Sequence, residues 1–214
     1  MVVPLAAAAL ACLATWFIVA RPLASADVAT RSQQAPARTP VAHAVGPTCR
    51  PGPPRRVVYP DLGVDATVER IGLESAASTR ADGTRRLGNP TDISRIGWYA
   101  DGPKPGSGTG TVLLDGHTYR DGSAVFGEDF PSRVRAGQLV QTVQQDGSVC
   151  SYRVDRVWPA IDARQDYPRI VASEHLYDPG GPERLFLATC GGRWNDARED
   201  YDDITVLVAT ALHH

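Results

Sequence analysis

Two side chains in this sequence stand where reactive groups would have to stand. Cys190 ends the run Leu185-Phe186-Leu187-Ala188-Thr189, and Gly191-Gly192 come directly after it. Apolar, β-prone residues predict a strand, and the paired glycines predict its abrupt end, because glycine tolerates backbone angles that other residues avoid. A thiol there can face a cleft; the competing reading is a small buried hydrophobe, the commonest fate of a cysteine. His117 has a similar setting, since Thr111-Val112-Leu113-Leu114-Asp115 predicts a strand and Gly116-His117 ends it. The chemistry on offer is nucleophilic. A thiolate attacks a carbonyl carbon, and an imidazole moves the protons between thiol and leaving amine. Asp115 either orients that imidazole or is an exposed strand-end carboxylate.

For this to work, the two strands must end at one rim. The pattern from Arg55 onward predicts many short strands: Arg56–Pro60, a turn and short strand over Asp61–Val68, Ile96–Tyr99, Thr111–Asp115, Leu139–Val143, Val149–Val154, Val157–Ile161, Leu185–Cys190 and Ile204–Ala209. Asp146-Gly147 is a hairpin signal, and Asp101–Gly110 is a loop. Short helical turns are predicted within Gly127–Val134 and around Ile170–His175, and a polar turn over Arg193–Asp203. Strands at this spacing predict an all-β, antiparallel-rich closed barrel. The 17 prolines and single methionine agree with a loop-rich β protein rather than a helical bundle.

The 22 basic residues nearly balance the 24 acidic ones, which argues against nucleic acid as a partner. Phosphate-binding loops, dinucleotide-binding glycines and paired-cysteine zinc spacing are absent. Asp61, Asp65, Glu69, Glu128 and Asp129 lack the order of a calcium loop, so neither metal nor cofactor is expected.

The chain divides into three parts. Residues 1–23 are almost wholly apolar, and two readings compete: a membrane-spanning helix, favoured here, and a signal peptide cleaved near Ala24-Ser25-Ala26. Both readings place the remainder of the chain outside the cytoplasm. Residues 24–54 are rich in Ala, Pro, Ser and Thr and read as a flexible tether. Residues 55–212 hold the folded domain. His43, His175, His213 and His214 read as solvated, and Trp98 and Trp158 as packing residues.

Taken together, the motifs resemble a family. Gly116-His117 after a hydrophobic strand, the later Ala124-Val125-Phe126, the Arg-Ala-Gly-Gln-Leu-Val turn and the Leu-Phe-Leu-Ala-Thr-Cys motif resemble the sortases, whose signature is TLxTC. Gly191-Gly192, Tyr201 and Asp203 resemble the class F or class E/F sortases of actinobacteria. The resemblance implies a closed eight-stranded sortase-type β-barrel and a cysteine transpeptidase. It implies cleavage of an LPxTG-like signal between Thr and Gly, with transfer to an amine such as a peptidoglycan precursor or pilin lysine. It implies substrates that are surface proteins, and a single-pass membrane protein with its catalytic domain outside. Carried onto this chain, Cys190 is the nucleophile and His117 the general acid/base.

The family also holds its substrate and oxyanion with an arginine near the start of the last strand. Here that place reads Asp202-Asp203-Ile204, which leaves Arg198 as the catalytic candidate, with Arg193 second. Thr189, Arg193 and Trp194 are candidates for the substrate groove. Cys49 and Cys150 either form a disulfide or remain free thiols. Two further functions stay open: a cysteine hydrolase of the same signal, and a binding module that has lost turnover because its arginine is displaced.

Overall fold

A computed structural model describes residues 48–74 and 87–212. The first 47 residues, with the expected anchor and most of the tether, lie outside the described residues, as do His43, His213 and His214. Among the described residues no helix is long and apolar enough to cross a membrane.

Ten strands are present among them: β1 (Pro54–Tyr59), β2 (Val64–Ile71), β3 (Ile96–Tyr99), β4 (Thr111–Gly116), β5 (Leu139–Gln144), β6 (Val149–Asp162), β7 (Arg184–Cys190), β8 (Trp194–Asn195), β9 (Asp200–Tyr201) and β10 (Asp203–Ala211). Eight of them close into a barrel in the order β1-β2-β3-β4-β7-β10-β6-β5. The β2–β3 and β4–β7 pairs are parallel, and the other six are antiparallel. Closure removes the open sheet edges that would otherwise invite association.

Three features differ from the sequence reading. The two segments read as Val149–Val154 and Val157–Ile161 are one strand, β6, which pairs with β10 through two register irregularities. The helical turn near Ile170 starts earlier, as α2 (Asp166–Ser173), while α1 is the single turn Phe130–Arg133. The polar turn after Cys190 contains a two-stranded ribbon, β8 with β9.

Strand alternation sorts the side chains into two apolar layers. Val112 and Leu114 of β4 and Leu185 and Leu187 of β7 fill the barrel with Trp98, Tyr152 and Leu207. Leu113, Phe186 and Ala188 point to the other face, where they pack with Tyr167 of α2, Leu176, Val206 and Val208. The strands are therefore apolar on both faces, and the outer one is roofed by α2 and its neighbouring loops.

A disulfide joins Cys49 to Cys150, with Cα atoms 4.6 Å apart. It fastens the segment before β1 to the start of β6. Beside it lies the Asp101–Gly110 loop: Gly52 N donates to Pro105 O at 3.1 Å. Glu183, just before β7, accepts from Gly106 N, Gly108 N and the Tyr152 hydroxyl at 2.9, 2.6 and 2.5 Å.

Candidate active site

Because β4 and β7 run parallel in register, with Gly116 opposite Thr189, their C-terminal ends emerge at one rim. That register brings His117 and Cys190 to the same cleft of about 510 Å³. Apolar residues of the outer layer, among them Phe186, Ala188, Tyr167 and Val171, line part of it, and charged ones such as Arg164, Asp200 and Asp203 line the remainder.

The backbone at both strand ends explains the glycines. A Cβ on Gly116 would stand 2.8 Å from the Phe126 ring and from Val125, because the chain folds back there. The Phe126 N–H donates to the His117 carbonyl at 3.1 Å. Beyond Cys190, Gly192 has φ +102°, and a Cβ on it would lie 2.7 Å from that of Ala160. Only glycine turns the chain there without strain or collision.

Cys190 is the one free cysteine among the described residues, and it reaches solvent. Its sulfur is nonetheless largely walled by protein. That burial pushes the thiol up to about 11, and the negative charges of Asp200 and Asp115 add to the shift. The resting group is therefore a neutral thiol at pH 7. The His117 Nε2 donates to the Pro90 carbonyl at 2.9 Å. A carbonyl only accepts, so in the neutral ring the free lone pair is on Nδ1.

Of the arginine candidates, Arg198 lines the cleft, where its guanidinium forms an ion pair with Asp202. Arg193 is not among the residues lining the cleft. Its side chain is spread over Asp203, Asp202 and Asp162 at 3.2, 3.4 and 3.7 Å, and its backbone N–H donates to Asp203 Oδ2 at 2.9 Å. Trp194 does not line the cleft either. It stands edge-on to Tyr201 at 5.1 Å and lies under the Arg120 guanidinium at 5.2 Å. Thr189 contributes to the cleft wall, but its hydroxyl bonds to Thr118 Oγ1 at 2.7 Å and the residue is buried. Strand alternation accounts for this, since neighbours on β7 face opposite ways and Cys190 takes the cleft side.

Asp115 is neither an exposed carboxylate nor a partner of His117. It is buried in the cleft floor, its Oδ1 has no hydrogen-bond partner among the described residues, and burial pushes the acid up to about 8. His175 is exposed, with Nδ1 3.6 Å from Asp178. No group of three His, Cys, Asp or Glu side chains converges on a metal-sized site among the described residues.

Sequence reasoning missed the clasp between the two loops that border the site. Arg120 covers Trp194 and lies 3.5 Å from Glu128, which accepts from the Tyr201 hydroxyl at 3.4 Å. The loop that begins with His117 is thus stitched to the β8–β9 ribbon that carries Arg198. The signal was present in the aromatic residues of the polar turn, which only a fold could pair with Arg120.

A closed β-barrel with a cysteine and a histidine at one strand-end mouth defines a class of thiol enzymes. Residues 60–211 match the family model of the sortase domain, and the chain belongs to the sortase family. Membership makes it a cysteine transpeptidase in general terms. Among solved structures, sortase C1 of Streptococcus agalactiae, in complex with MTSET, is similar with a TM-score of 0.49 and 14% identity over 76% of this chain and 70% of that one. Sortase E1 of Streptomyces coelicolor with a tripeptide in the active site has a TM-score of 0.48 and 12% identity, covering 76% and 89%. Clostridium perfringens sortase C with a C-terminal cell wall sorting motif has a TM-score of 0.46 and 10% identity, covering 77% and 74%. No curated protein matches the chain in sequence.

Proposed function

We propose that this sortase cleaves an LPxTG-like sorting signal between Thr and Gly through a Cys190 thioester and transfers the acyl group to an amine. The observation that carries the proposal is the single cleft shared by Cys190, His117 and Arg198. In the first half-reaction His117 takes the thiol proton and the sulfur attacks the threonine carbonyl. The C–S bond forms, the C–N bond breaks, and the imidazolium returns its proton to the departing glycine amine. In the second half an acceptor amine attacks the thioester, its proton passes to His117, and the sulfur leaves. Arg198 holds the oxyanion in both halves, for which its guanidinium must turn from Asp202. Losing one oxyanion donor typically costs about 10²–10³ in rate.

The proposed donors are surface proteins ending in such a signal, and the acceptor is a peptidoglycan precursor or a pilin lysine. The apolar residues 1–23 would hold the enzyme in the cell membrane with its barrel outside. The Cys49–Cys150 disulfide is in keeping with an oxidising compartment.

A second reading is favoured by the Arg198–Asp202 pair and the raised thiol: a barrel that binds the signal with little turnover. Incubation with an LPxTG-type peptide, with and without an amine acceptor, followed by mass spectrometry, separates these. A ligated product supports the transpeptidase, cleavage alone supports a hydrolase, and binding without product supports the second reading. Cys190→Ala abolishes turnover on the proposed mechanism; an active variant would show that another nucleophile acts.

A further inference from the structure

One carboxylate stands in the outer apolar layer that borders the cleft. Leu113, Phe186 and Ala188 belong to the outer apolar layer, and Asp115 stands among them, directly opposite Ala188 on β7 and Gly97 on β3. Its Oδ1 fills the space that Gly97 leaves: a Cβ there would lie 2.5 Å from the oxygen. Asp115 is only 9% exposed, and no hydrogen bond from the described residues reaches Oδ1. A buried acceptor without a donor is costly to fold. Burial pushes its acid group up. Oδ1 itself is closed off from solvent beside Gly97, while Asp115 as a residue lines the cleft.

We propose that Asp115 is a specificity-determining residue, which accepts a hydrogen bond from a donor side chain of the peptide lying in the cleft. The inference rests on the peptide-processing function proposed for this cleft and deepens it. Ala188 and Cys190 are two residues apart on one strand, about 7 Å along it. An extended peptide whose scissile carbonyl meets the sulfur covers that distance with the two residues that precede the acylated one. The donor belongs at one of those two positions. A purely apolar signal would leave the acid unpaired and desolvated, so it is selected against. This is the kind of discrimination that a site built for a hydrogen bond achieves and an apolar pocket does not.

The test uses fluorogenic peptides built on Leu-Pro-Xaa-Thr-Gly and Leu-Xaa-Ala-Thr-Gly. Xaa is Lys or its amine-free analogue norleucine, and Ser or Ala. The full chain is expected to prefer the donor member of at least one pair by about tenfold or more in kcat/KM. Asp115→Ala is expected to lose that preference. No preference in the natural chain, or a preference that survives in Asp115→Ala, overturns the inference. If no peptide is turned over, the transpeptidase reading fails, and binding to Cys190→Ala, read by fluorescence anisotropy, still decides on Asp115. A donor preference that Asp115→Ala removes then sustains the inference; equal affinities, or no binding at all, overturn it. A measurement on the unaltered floor guards against misfolding of the variant. A donor peptide is expected to move the titration of the Asp115 carboxyl, tracked by ¹³C NMR, to lower pH, because a donor favours the charged form. An unmoved titration with bound peptide overturns the proposal.

Discussion

A thiol pushed up to about 11 does not become a nucleophile unaided. Its proton has to leave in step with attack, and the free Nδ1 of His117 is the base at hand. Alkylation of Cys190 by iodoacetamide is therefore expected to be slow at pH 7 and to accelerate well above pH 9. Asp200→Asn removes one of the charges that raise the thiol, so its alkylation profile is expected to shift to lower pH. An unshifted profile would mean that burial alone governs the sulfur. Asp115 makes a second prediction at this scale. Its acid group is pushed from 3.8 up to about 8, so the folded chain keeps a proton that the unfolded chain releases. Stability is then full below 3.8 and falls as pH rises toward 8, by on the order of a few kcal/mol. Asp115→Asn is expected to flatten that fall in urea midpoints compared at pH 5 and pH 8. Equal slopes in both proteins would refute the assignment.

At the scale of elements, the strand ends were legible and the loops were not. Leu185–Cys190 and Thr111–Asp115 announce themselves by composition and by the glycines that stop them. Their meeting at one rim comes from parallel pairing, a contact between distant segments that spacing does not encode. The orientation of Thr189 was in principle available, since alternation with Cys190 turns it inward. Asp115 was harder. A carboxylate at the end of a strand reads either as exposed or as a partner of His117 until α2 and its loops are seen to roof that face. The arginine candidates lay in a turn whose ribbon is only two residues per strand, too short for any periodicity. The clasp across those loops carries its own prediction. Arg120→Ala removes a cation–π contact of about 0.5–1 kcal/mol and frees the His117 loop from the ribbon. A fall of a few fold in kcat with little change in KM is expected in steady-state assays. An unchanged kcat would show that the two loops keep their places without it.

For the whole molecule, the disulfide closes a long segment of chain, since its cysteines are 101 residues apart. In chain-entropy terms a loop of that size is worth about 4–5 kcal/mol. Cys150→Ser, or reduction of the natural chain, is expected to lower the denaturant midpoint accordingly. A midpoint unchanged by both treatments would mean that the barrel's closure alone supplies the stability. Both apolar layers and the hydrogen-bonded ring of strands argue that the variant still folds.

The position of that bond has a mechanical meaning. Cys49 lies beside the loop that leads into β4, with a Cβ on Gly106 only 2.9 Å from its sulfur, whereas His117 and Cys190 stand where β4 and β7 finish. The bonded Cys49 thus stands at the pole of the barrel away from the cleft mouth. Tension applied through it passes covalently into β6 before it can peel β1 from its neighbours. Whatever tugs on this protein from that side loads a strand in the middle of the ring and spares the pocket at the far pole.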